Sequence, residues 1–344
     1  MREQKKHRVL VIGGGGIGQI HLHRFQATGR AEMGICEIDD ALRSDTASRL
    51  GVEHVYGSLA HALDEPWDAA VICVPTNLHI PIALRVAAAG IHMLIEKPLA
   101  VSQEGVTELM DRARERRLFV SVGYIFRSHP ALRGMRKTVR SRHLGKPLQI
   151  VLVRGANLAH RRPDYPNIYY ADRARGGGAI QDILTHMFNA AEWLVGPITR
   201  LTADAAHMSV AHVDVEDTVH VLARHSNVMG CYTLNQHQAP GEFTISVNCE
   251  KGTARGEFHR HRWSSMEQPD GDWKEHAPEV ADMEEVFTLQ SNAFLDGLEG
   301  RDEAPCSLSE ARQTLRATLA ALASADREGA WQIVDTGSGP NERV

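Results

Sequence analysis

Short apolar runs alternate with segments of helical periodicity over about the first 125 residues. The apolar runs are 9–12, 33–36, 52–55, 68–74, 91–95 and 118–122. Apolar residues recurring every three or four positions predict helices through Phe25 and over 41–50, 59–63, 79–89 and 102–117. Continuous apolar runs are typical of parallel strands buried on both faces. The alternation therefore predicts an α/β unit with a doubly wound parallel sheet.

Local signals set the predicted ends of these elements. Gly51 and Gly90 stand where glycine commonly ends a helix, and Pro75 ends the apolar run before it. Ser58 and Ser102 are predicted N-caps, since a serine hydroxyl can accept a hydrogen bond from a free N–H of the first turn.

The pattern changes after Tyr124. A basic helical segment runs to Leu144, and a strand is predicted over 148–153. Alternation of apolar and polar residues at period two then predicts an antiparallel sheet from 218–223, 229–234, 243–247 and 253–258. Two helices joined by a loop containing Pro305 are predicted over 287–325. We expect two domains, 1–124 and 125–335, and the last helices can pack back on the first domain.

Composition narrows the class of protein. The chain has 344 residues, 43% of them hydrophobic and 24% charged, and a net charge of -5, so a nucleic-acid partner is not expected. No apolar run approaches the roughly 18 residues of a membrane span. The five cysteines show no CxxC spacing, as is typical of reduced core cysteines. We expect a cytoplasmic protein.

The segment RVLVIGGGGIG, residues 8–18, carries a phosphate-binding pattern between a strand and a helix. Gly13 allows a sharp turn, Gly15 allows the backbone to approach a pyrophosphate, and Gly18 allows close packing of helix and strand. Glu37 follows about 20 residues later at the end of the next apolar run, where a carboxylate binds ribose hydroxyls and repels a 2′-phosphate. The pattern predicts a dinucleotide site for NAD rather than NADP. The alternative is a glycine turn with an incidental surface glutamate.

The segments after two of the predicted strands are further candidate binding sites, because ligands of such sheets bind beyond the carboxyl ends of the strands. The loop Val74-Pro75-Thr76-Asn77 can pass along a nicotinamide. The segment Glu96-Lys97-Pro98 can hold the lysine extended and present its ammonium to a substrate oxygen. The alternative is an ordinary surface ion pair.

A second candidate constellation lies between Arg173 and Gly196. The glycines 176–178 open a predicted helix on which Asp182 and His186 stand four residues apart, on one face. A carboxylate beside an imidazole can fix its tautomer and raise its basicity, as a general base requires. A purely structural hydrogen bond is the alternative.

Six further histidines suggest a metal at first sight, but their spacing fits no zinc pattern, so no metal site is predicted. They are His207, His212, His220, His225, His259 and His261.

The order of these motifs resembles the Gfo/Idh/MocA oxidoreductases, the glucose-fructose oxidoreductase and inositol dehydrogenase family. It runs GGGGIG, a terminal acidic residue, VPTNLH, EKP and GGGAIQDILTH, and GKPLQIVLV, VEDTVHVL and CSLSEARQTLRATLAALASA extend it over nearly the whole chain. The resemblance implies a Rossmann domain and an α+β domain with a large, mainly antiparallel sheet.

The resemblance also assigns roles to residues. Lys97 and His186 are implied to flank the substrate beside the nicotinamide, with Asp182 supporting them. A secondary hydroxyl would lose its proton to His186 and Lys97 would stabilise the developing oxyanion. The predicted cofactor-binding residues are Gly13, Gly15, Gly16, Ile17, Gly18, Glu37, Val74, Pro75, Thr76, Asn77, His79, Glu96 and Lys97.

The substrate pocket falls where this family varies. Besides Lys97, Asp182 and His186, we predict contacts from Arg127 and Tyr165. Other aromatic and guanidinium groups near the entry to the second domain would suit a polyhydroxylated or acidic substrate, unless they belong to a solvated loop: Arg161, Arg162, Tyr169 and Tyr170. Many relatives carry Asp where this chain has Asn189, so that residue receives no catalytic role.

The sequence thus predicts an NAD-dependent dehydrogenase acting on a sugar, sugar derivative or cyclitol, and by analogy of fold a homodimer or homotetramer. Two other classes stay open. One is a non-catalytic, dinucleotide-binding regulator. The other is a reductase or a redox-neutral glycoside-processing enzyme on the same fold.

Overall fold

A computed structural model describes residues 6–161, 169–277 and 279–337 of the chain. Within these ranges the chain forms two compact units. The first contains residues up to Ser128 together with 282–311, and the second contains 129–281 and the residues from Arg312 onward.

The predicted strands and helices occur in the predicted order. The strands are β1 (His7–Ile12), β2 (Ala31–Cys36), β3 (His54–Tyr56), β4 (Ala69–Ile72), β5 (His92–Ile95), β6 (Val120–Val122), β7 (Pro147–Asn157), β8 (Arg200–Ala206), β9 (Thr218–His225), β10 (Val228–Asn235), β11 (His237–Cys249), β12 (Thr253–Glu257), β13 (Arg262–Met266), β14 (Lys274–His276) and β15 (Gln332–Ile333). The α-helices are α1 (Gly16–Ala27), α2 (Asp40–Leu50), α3 (Leu59–Leu63), α4 (His79–Ala88), α5 (Val106–Glu115), α6 (Pro130–Arg140), α7 (Leu158–Arg161), α8 (Thr185–Val195), α9 (Met283–Leu298) and α10 (Leu308–Ala325). Of these elements, β8, β13, β14, β15 and α7 were not predicted.

The sheet of the first unit has six parallel strands in the order β3-β2-β1-β4-β5-β6. Its continuous apolar runs are buried, as predicted for strands covered on both faces. The strand order reverses at β1 and β4. The glycine turn after β1 and the loop after β4 therefore share the carboxyl edge, where ligands of such sheets bind.

Helix α1 is held by packing on both sides. Leu22 and Phe25 belong to the same buried cluster as Val9 and Val11 of β1. On the other side, Phe25 meets Phe294 of α9 edge to face, with ring centroids 5.9 Å apart. This burial fixes the start of α1 against the turn that precedes it.

The second unit contains a nine-stranded sheet in the order β14-β13-β12-β11-β7-β10-β9-β8-β15. It is mainly antiparallel, as predicted, but β7 and β10 pair in parallel. One face is apolar, and Tyr232 of that face meets Phe188 of α8 edge to face at 5.0 Å. On the opposite face Leu222 and Met229 are 55% and 51% exposed.

Three local predictions need correction. Helix α5 begins at Val106, not at Ser102, because Gly105 in the left-handed conformation (φ 71°) forms the N-cap, and the Ser102 hydroxyl accepts from the N–H of Glu104 instead. Ser58 stands at the N-cap of α3 but makes no capping hydrogen bond through its side chain. The third strand is His54–Tyr56 rather than 52–55.

In the described part of the chain, no helix combines the length and the apolar character needed to cross a membrane.

Candidate active site

The glycine turn has the shape that its spacing predicts. Gly13 has φ 100°, and a Cβ on it would lie 2.6 Å from the carbonyl oxygen of Cys73. A Cβ on Gly18 would lie 2.0 Å from the carbonyl oxygen of Gly13, so only glycine lets the helix approach this closely. Gly15 and Gly16 are exposed, and no atom lies within 4 Å of a Cβ added to either. The turn thus leaves open the space that a pyrophosphate needs at a helix N-terminus.

Glu37 stands beside this turn at the end of β2. Its carboxylate accepts hydrogen bonds from the N–H of Gly14 at 2.7 Å and from the N–H of Asp39 at 3.0 Å. These bonds hold the carboxylate against the turn, where it can accept further hydrogen bonds from hydroxyl groups.

The loop after β4 continues into a short 3₁₀-helix, Thr76–Leu78, and then into α4. Thr76 is buried and Asn77 is exposed. His79 is only 1% exposed, and burial lowers its pKa. Its ring nitrogens lie 2.9 Å from the carbonyl oxygens of Val74 and Pro98. His79 therefore joins the loop after β4 to the EKP segment.

Glu96 and Lys97 follow β5 directly. Glu96 is buried, and its carboxylate lies 2.8 Å from Nε2 of the fully buried His21 of α1. Its other oxygen accepts from the N–H of Lys97 at 3.1 Å. Lys97 is partly exposed. Glu96 is thus anchored inside the first unit, and Lys97 is the more exposed residue of this pair.

In the second unit the glycines 176–178 lead into a π-helical turn, Ile180–Leu184, which continues as α8. A regular helix was predicted here. The observed helix is wider at Asp182, since π-helical hydrogen bonds join residues five apart. Asp182 and His186 are 5% and 8% exposed. Both lie at the start of a helix packed on the sheet, and such single π turns are frequent at functional sites.

Glu216, of the VEDT segment before β9, holds this turn in place, and the next residue, Asp217, holds the loop before that segment. Glu216 accepts from the N–H of Ile180 at 2.9 Å through its carboxylate, and its backbone carbonyl accepts from the N–H of Ala179. Asp217 is buried and accepts three backbone N–H bonds, from residues 208, 209 and 210. Burial alone would raise the pKa of Asp217, but these bonds bring it below its ordinary value. Sequence reasoning gave this pair no role in the site.

Asn189, one turn along α8, donates to the hydroxyl of Thr314 at 3.0 Å and is 1% exposed. This contact gives the buried amide of Asn189 a structural role within the second unit.

Arg127 and Tyr165 were also predicted to contact the substrate. Arg127 is 3% exposed, and its guanidinium pairs with Glu310 and donates to the carbonyl of Pro305. These bonds do not test the contact of Arg127 with a substrate, which stays a prediction. Tyr165 and Arg162 lie outside the described residues, as does the side chain of Tyr169.

Arg154 of β7 is a charged residue near Asp182 that the sequence analysis missed. Its guanidinium carbon lies 4.8 Å from the ring centre of Phe243. Burial lowers the pKa of Arg154 to about 10, and the nearby charge of Asp182 opposes that shift. The sequence signal that could have identified Arg154 was a single arginine on β7, at a position where the alternation predicts a buried apolar residue.

Within the ranges that the structure describes, no group of three or more His, Cys, Asp or Glu side chains is placed to hold a metal ion.

Comparison with known proteins identifies the family. Residues 7–124 match an oxidoreductase family with an NAD-binding Rossmann fold, and residues 132–255 match the C-terminal domain of the same Gfo/Idh/MocA family. A levoglucosan dehydrogenase of Pseudarthrobacter phenanthrenivorans is 29% identical over 207 residues, 56% of this chain. The chain spans about half the length of that relative, 52%.

Other comparisons extend over most of the chain. The inositol 2-dehydrogenase of Rhizobium meliloti is 26% identical over 329 residues, 92% of this chain and 94% of that one. A solved levoglucosan dehydrogenase, in complex with NADH and levoglucosan, superposes with a TM-score of 0.88 at 20% identity, covering 96% of this chain and all of that one. The chain belongs to the Gfo/Idh/MocA family of oxidoreductases, and its first unit contains that family's NAD-binding Rossmann domain.

Proposed function

We propose that this chain is an NAD-dependent dehydrogenase that oxidises a secondary hydroxyl of a sugar, sugar derivative or cyclitol. The observation that carries the proposal is the buried Asp182 and His186 at the widened turn before α8, in a chain that also keeps the EKP lysine. Relatives named as levoglucosan and inositol dehydrogenases support the substrate class.

The proposed roles follow from the chemistry of the groups. Bound NAD supplies the hydride acceptor at C4 of its nicotinamide. His186 takes the hydroxyl proton as general base, with the carboxylate of Asp182 supporting its basicity. Lys97 places an ammonium at the oxygen on which negative charge develops. The Gly13–Gly18 turn binds the pyrophosphate, Glu37 the adenosine ribose, and Val74, Pro75, Thr76 and Asn77 the nicotinamide half, while His79 and Glu96 position those groups.

NADH formation tests the proposal. The purified protein is given NAD⁺ and a panel of inositols, aldoses, deoxy sugars and uronic acids, and absorbance at the NADH band is followed. We expect at least one substrate to give stoichiometric NADH. If the protein binds NAD but no compound of the panel reduces it, the result favours a non-catalytic regulator. If the substrate is consumed without net NADH, a redox-neutral enzyme is indicated.

Glu37 is proposed to set the choice of NAD over NADP. Glu37→Ala should raise the ratio of kcat/KM for NADP⁺ to that for NAD⁺ by about tenfold or more, because it removes the repulsion of a 2′-phosphate. Glu37→Gln is the matched control. Its amide oxygen can still accept the hydrogen bond from the N–H of Gly14, but the variant lacks the negative charge of the carboxylate. The proposal fails if the wild type prefers NADPH and Glu37→Ala leaves that preference unchanged.

We further propose that the chain forms a homodimer or homotetramer in the cytoplasm. The exposed Leu222 and Met229 lie on the outer face of the second sheet, which suits a contact between copies. Leu222→Lys should lower the mass measured by light scattering, while Arg200→Lys, on an adjoining strand, should not.

The described cysteines are free thiols, as a reducing compartment maintains, and fractionation of cells tests the location.

A further inference from the structure

His21 of α1 is a polar side chain placed among aromatic rings. It is fully buried, and its ring centroid lies 6.2 Å from that of Phe25 and 5.8 Å from that of Phe287. Nε2 lies 2.8 Å from the carboxylate of Glu96, and within the described ranges Nδ1 has no hydrogen-bond partner. An unbonded buried nitrogen lowers stability, and an apolar side chain in the same space would not carry that cost. The contact with Glu96 therefore needs an explanation other than stability.

The same carboxylate holds the backbone at Lys97. One oxygen of Glu96 faces His21, and the other accepts a hydrogen bond from the N–H of Lys97 at 3.1 Å. On the other side of Lys97, the carbonyl oxygen of Pro98 lies 2.9 Å from Nδ1 of the buried His79. Both neighbours of Lys97 are thus attached to buried histidines, one on α1 and one on α4. A backbone held on both sides fixes the direction in which the lysine side chain leaves the end of the strand.

We propose that His21 is a positioning residue for Lys97 and acts through the carboxylate of Glu96. This inference rests on the proposed function, in which Lys97 stabilises the developing oxyanion, and it adds a residue of the helix after the glycine turn to that task. A carboxylate only accepts hydrogen bonds, so Nε2 of His21 carries the proton and donates it. Loss of the imidazole removes one of the two donors that hold the carboxylate in place. A displacement of about 1 Å at a catalytic group can cost about a hundredfold in rate.

Turnover of a substrate identified with the panel tests the inference. His21→Ala should lower kcat by about tenfold to a hundredfold, because a displaced ammonium stabilises the transition state less well. The KM values for NAD⁺ and for the substrate should stay within about threefold of the wild type, as expected when an interaction of the transition state alone is lost. His21→Gln should recover most of the rate, since its amide nitrogen stands as many bonds from the backbone as Nε2 and can donate to the carboxylate.

Leu22→Ala is the matched control. Leu22 is the next residue of α1, is also fully buried, and packs in the core cluster that contains Val9 of β1. This variant should lower the midpoint of thermal unfolding at least as much as His21→Ala, yet leave kcat within about twofold, because the loss of buried methyl groups costs stability alone. A fall of kcat in Leu22→Ala as large as in His21→Ala would overturn the inference, since any disturbance of α1 would then suffice.

A double variant shows whether His21 acts through Lys97. If the imidazole only places the ammonium, His21→Ala should lower kcat no further once Lys97→Met is present, since the effects of residues that act as a unit are not additive. Losses that multiply in the double variant would overturn the inference, because His21 would then serve turnover by another route. Wild-type kcat in His21→Ala would overturn it as well.

Gly123→Ala disturbs the same carboxylate and leaves the imidazole intact. A Cβ on Gly123 would lie 2.6 Å from Oε1 of Glu96, which is the far end of a flexible side chain, so the carboxylate has to move. We expect kcat to fall as in His21→Ala, and this variant serves if His21→Ala does not fold. Unchanged kcat in Gly123→Ala would contradict the inference, because the place of the carboxylate would then not matter.

Hydrogen exchange separates a failure of this inference from a failure of the proposed function. The N–H of Lys97 is bonded to Glu96, so its exchange with deuterated solvent should be faster in His21→Ala and close to the wild type in His21→Gln and Leu22→Ala. Mass spectrometry of peptides that cover 92–99 measures it. If no compound of the panel is oxidised, the proposed function fails and the exchange decides the inference. Faster exchange that His21→Gln reverses then supports it, and unchanged exchange overturns it.

Discussion

His186→Ala should lower kcat by about 10² to 10⁴ and Lys97→Met by about 10² to 10³, while NADH binds almost as well as to the wild type. General-base catalysis contributes about 10² to 10⁴ in rate, and loss of a group that stabilises a developing oxyanion costs about 10² to 10³. Both side chains serve the reacting hydroxyl in the proposed mechanism. Stopped-flow measurement of kcat and fluorescence titration with NADH check the two parts of the expectation.

Asn189→Ala is the control for His186→Ala, because Asn189 is buried on the same helix and bonds to Thr314. It should lower the midpoint of thermal unfolding but leave kcat within about fivefold, since its bond is structural and an uncharged buried hydrogen bond contributes about 1 kcal/mol. Full activity in His186→Ala or Lys97→Met would remove that residue from the mechanism. A loss of equal size in Asn189→Ala would show that any disturbance of α8 suffices.

Gly18→Ala and Gly15→Ala should separate folding from cofactor binding. At Gly18 a Cβ would lie 2.0 Å from the backbone oxygen of Gly13, a clash that only a backbone shift can relieve. We expect a loss of about 3 kcal/mol in the free energy of unfolding, the upper range for overpacking. At Gly15 a Cβ meets no protein atom within 4 Å, and the residue has φ −64°. Gly15→Ala should therefore cost about 1 kcal/mol or less, as expected at an N-cap.

For cofactor affinity the order of the two variants should be reversed. Gly15→Ala, which costs little stability, should weaken NADH binding more. Gly15→Ala should raise the Kd for NADH by about tenfold or more, because the methyl group occupies the space left for the pyrophosphate. His23→Ala is the control, since His23 is an exposed residue further along α1, outside the glycine turn. Unchanged NADH affinity in Gly15→Ala would place the phosphates elsewhere.

The parallel sheet and the glycine turn could be predicted from sequence because their causes are local. Continuous apolar runs such as 68–74 and a glycine pattern such as 13–18 constrain the backbone within a few residues. Strands β9 to β12 of the second unit were predicted for the same reason, whereas β8, β13, β14 and β15 were not. The parallel pairing of β7 with β10 could not be, because period-two alternation fixes which face a residue occupies but not which strand lies beside it.

The site was less predictable where contacts join distant segments. The contacts that hold His79 were not predicted, because its ring nitrogens are engaged by carbonyls five residues before and nineteen residues after it. The pairing of Arg127 with Glu310 was not predicted, because Glu310 lies far along the chain. The widened turn at Asp182 depends on Glu216, which the VEDT segment brings from another part of the second unit. None of these pairings leaves a periodic signal in the sequence.

Transfer of deuterium from substrate to nicotinamide tests the central claim most directly. A sugar or sugar acid that carries deuterium at the carbon to be oxidised is incubated with stoichiometric enzyme and NAD⁺, and the cofactor is recovered for mass spectrometry. We expect one deuterium in the dihydronicotinamide of the recovered NADH, and a rate of transfer about 10² to 10⁴ times lower in His186→Ala. NAD⁺ that is bound but recovered unreduced and unlabelled with every labelled substrate would contradict it.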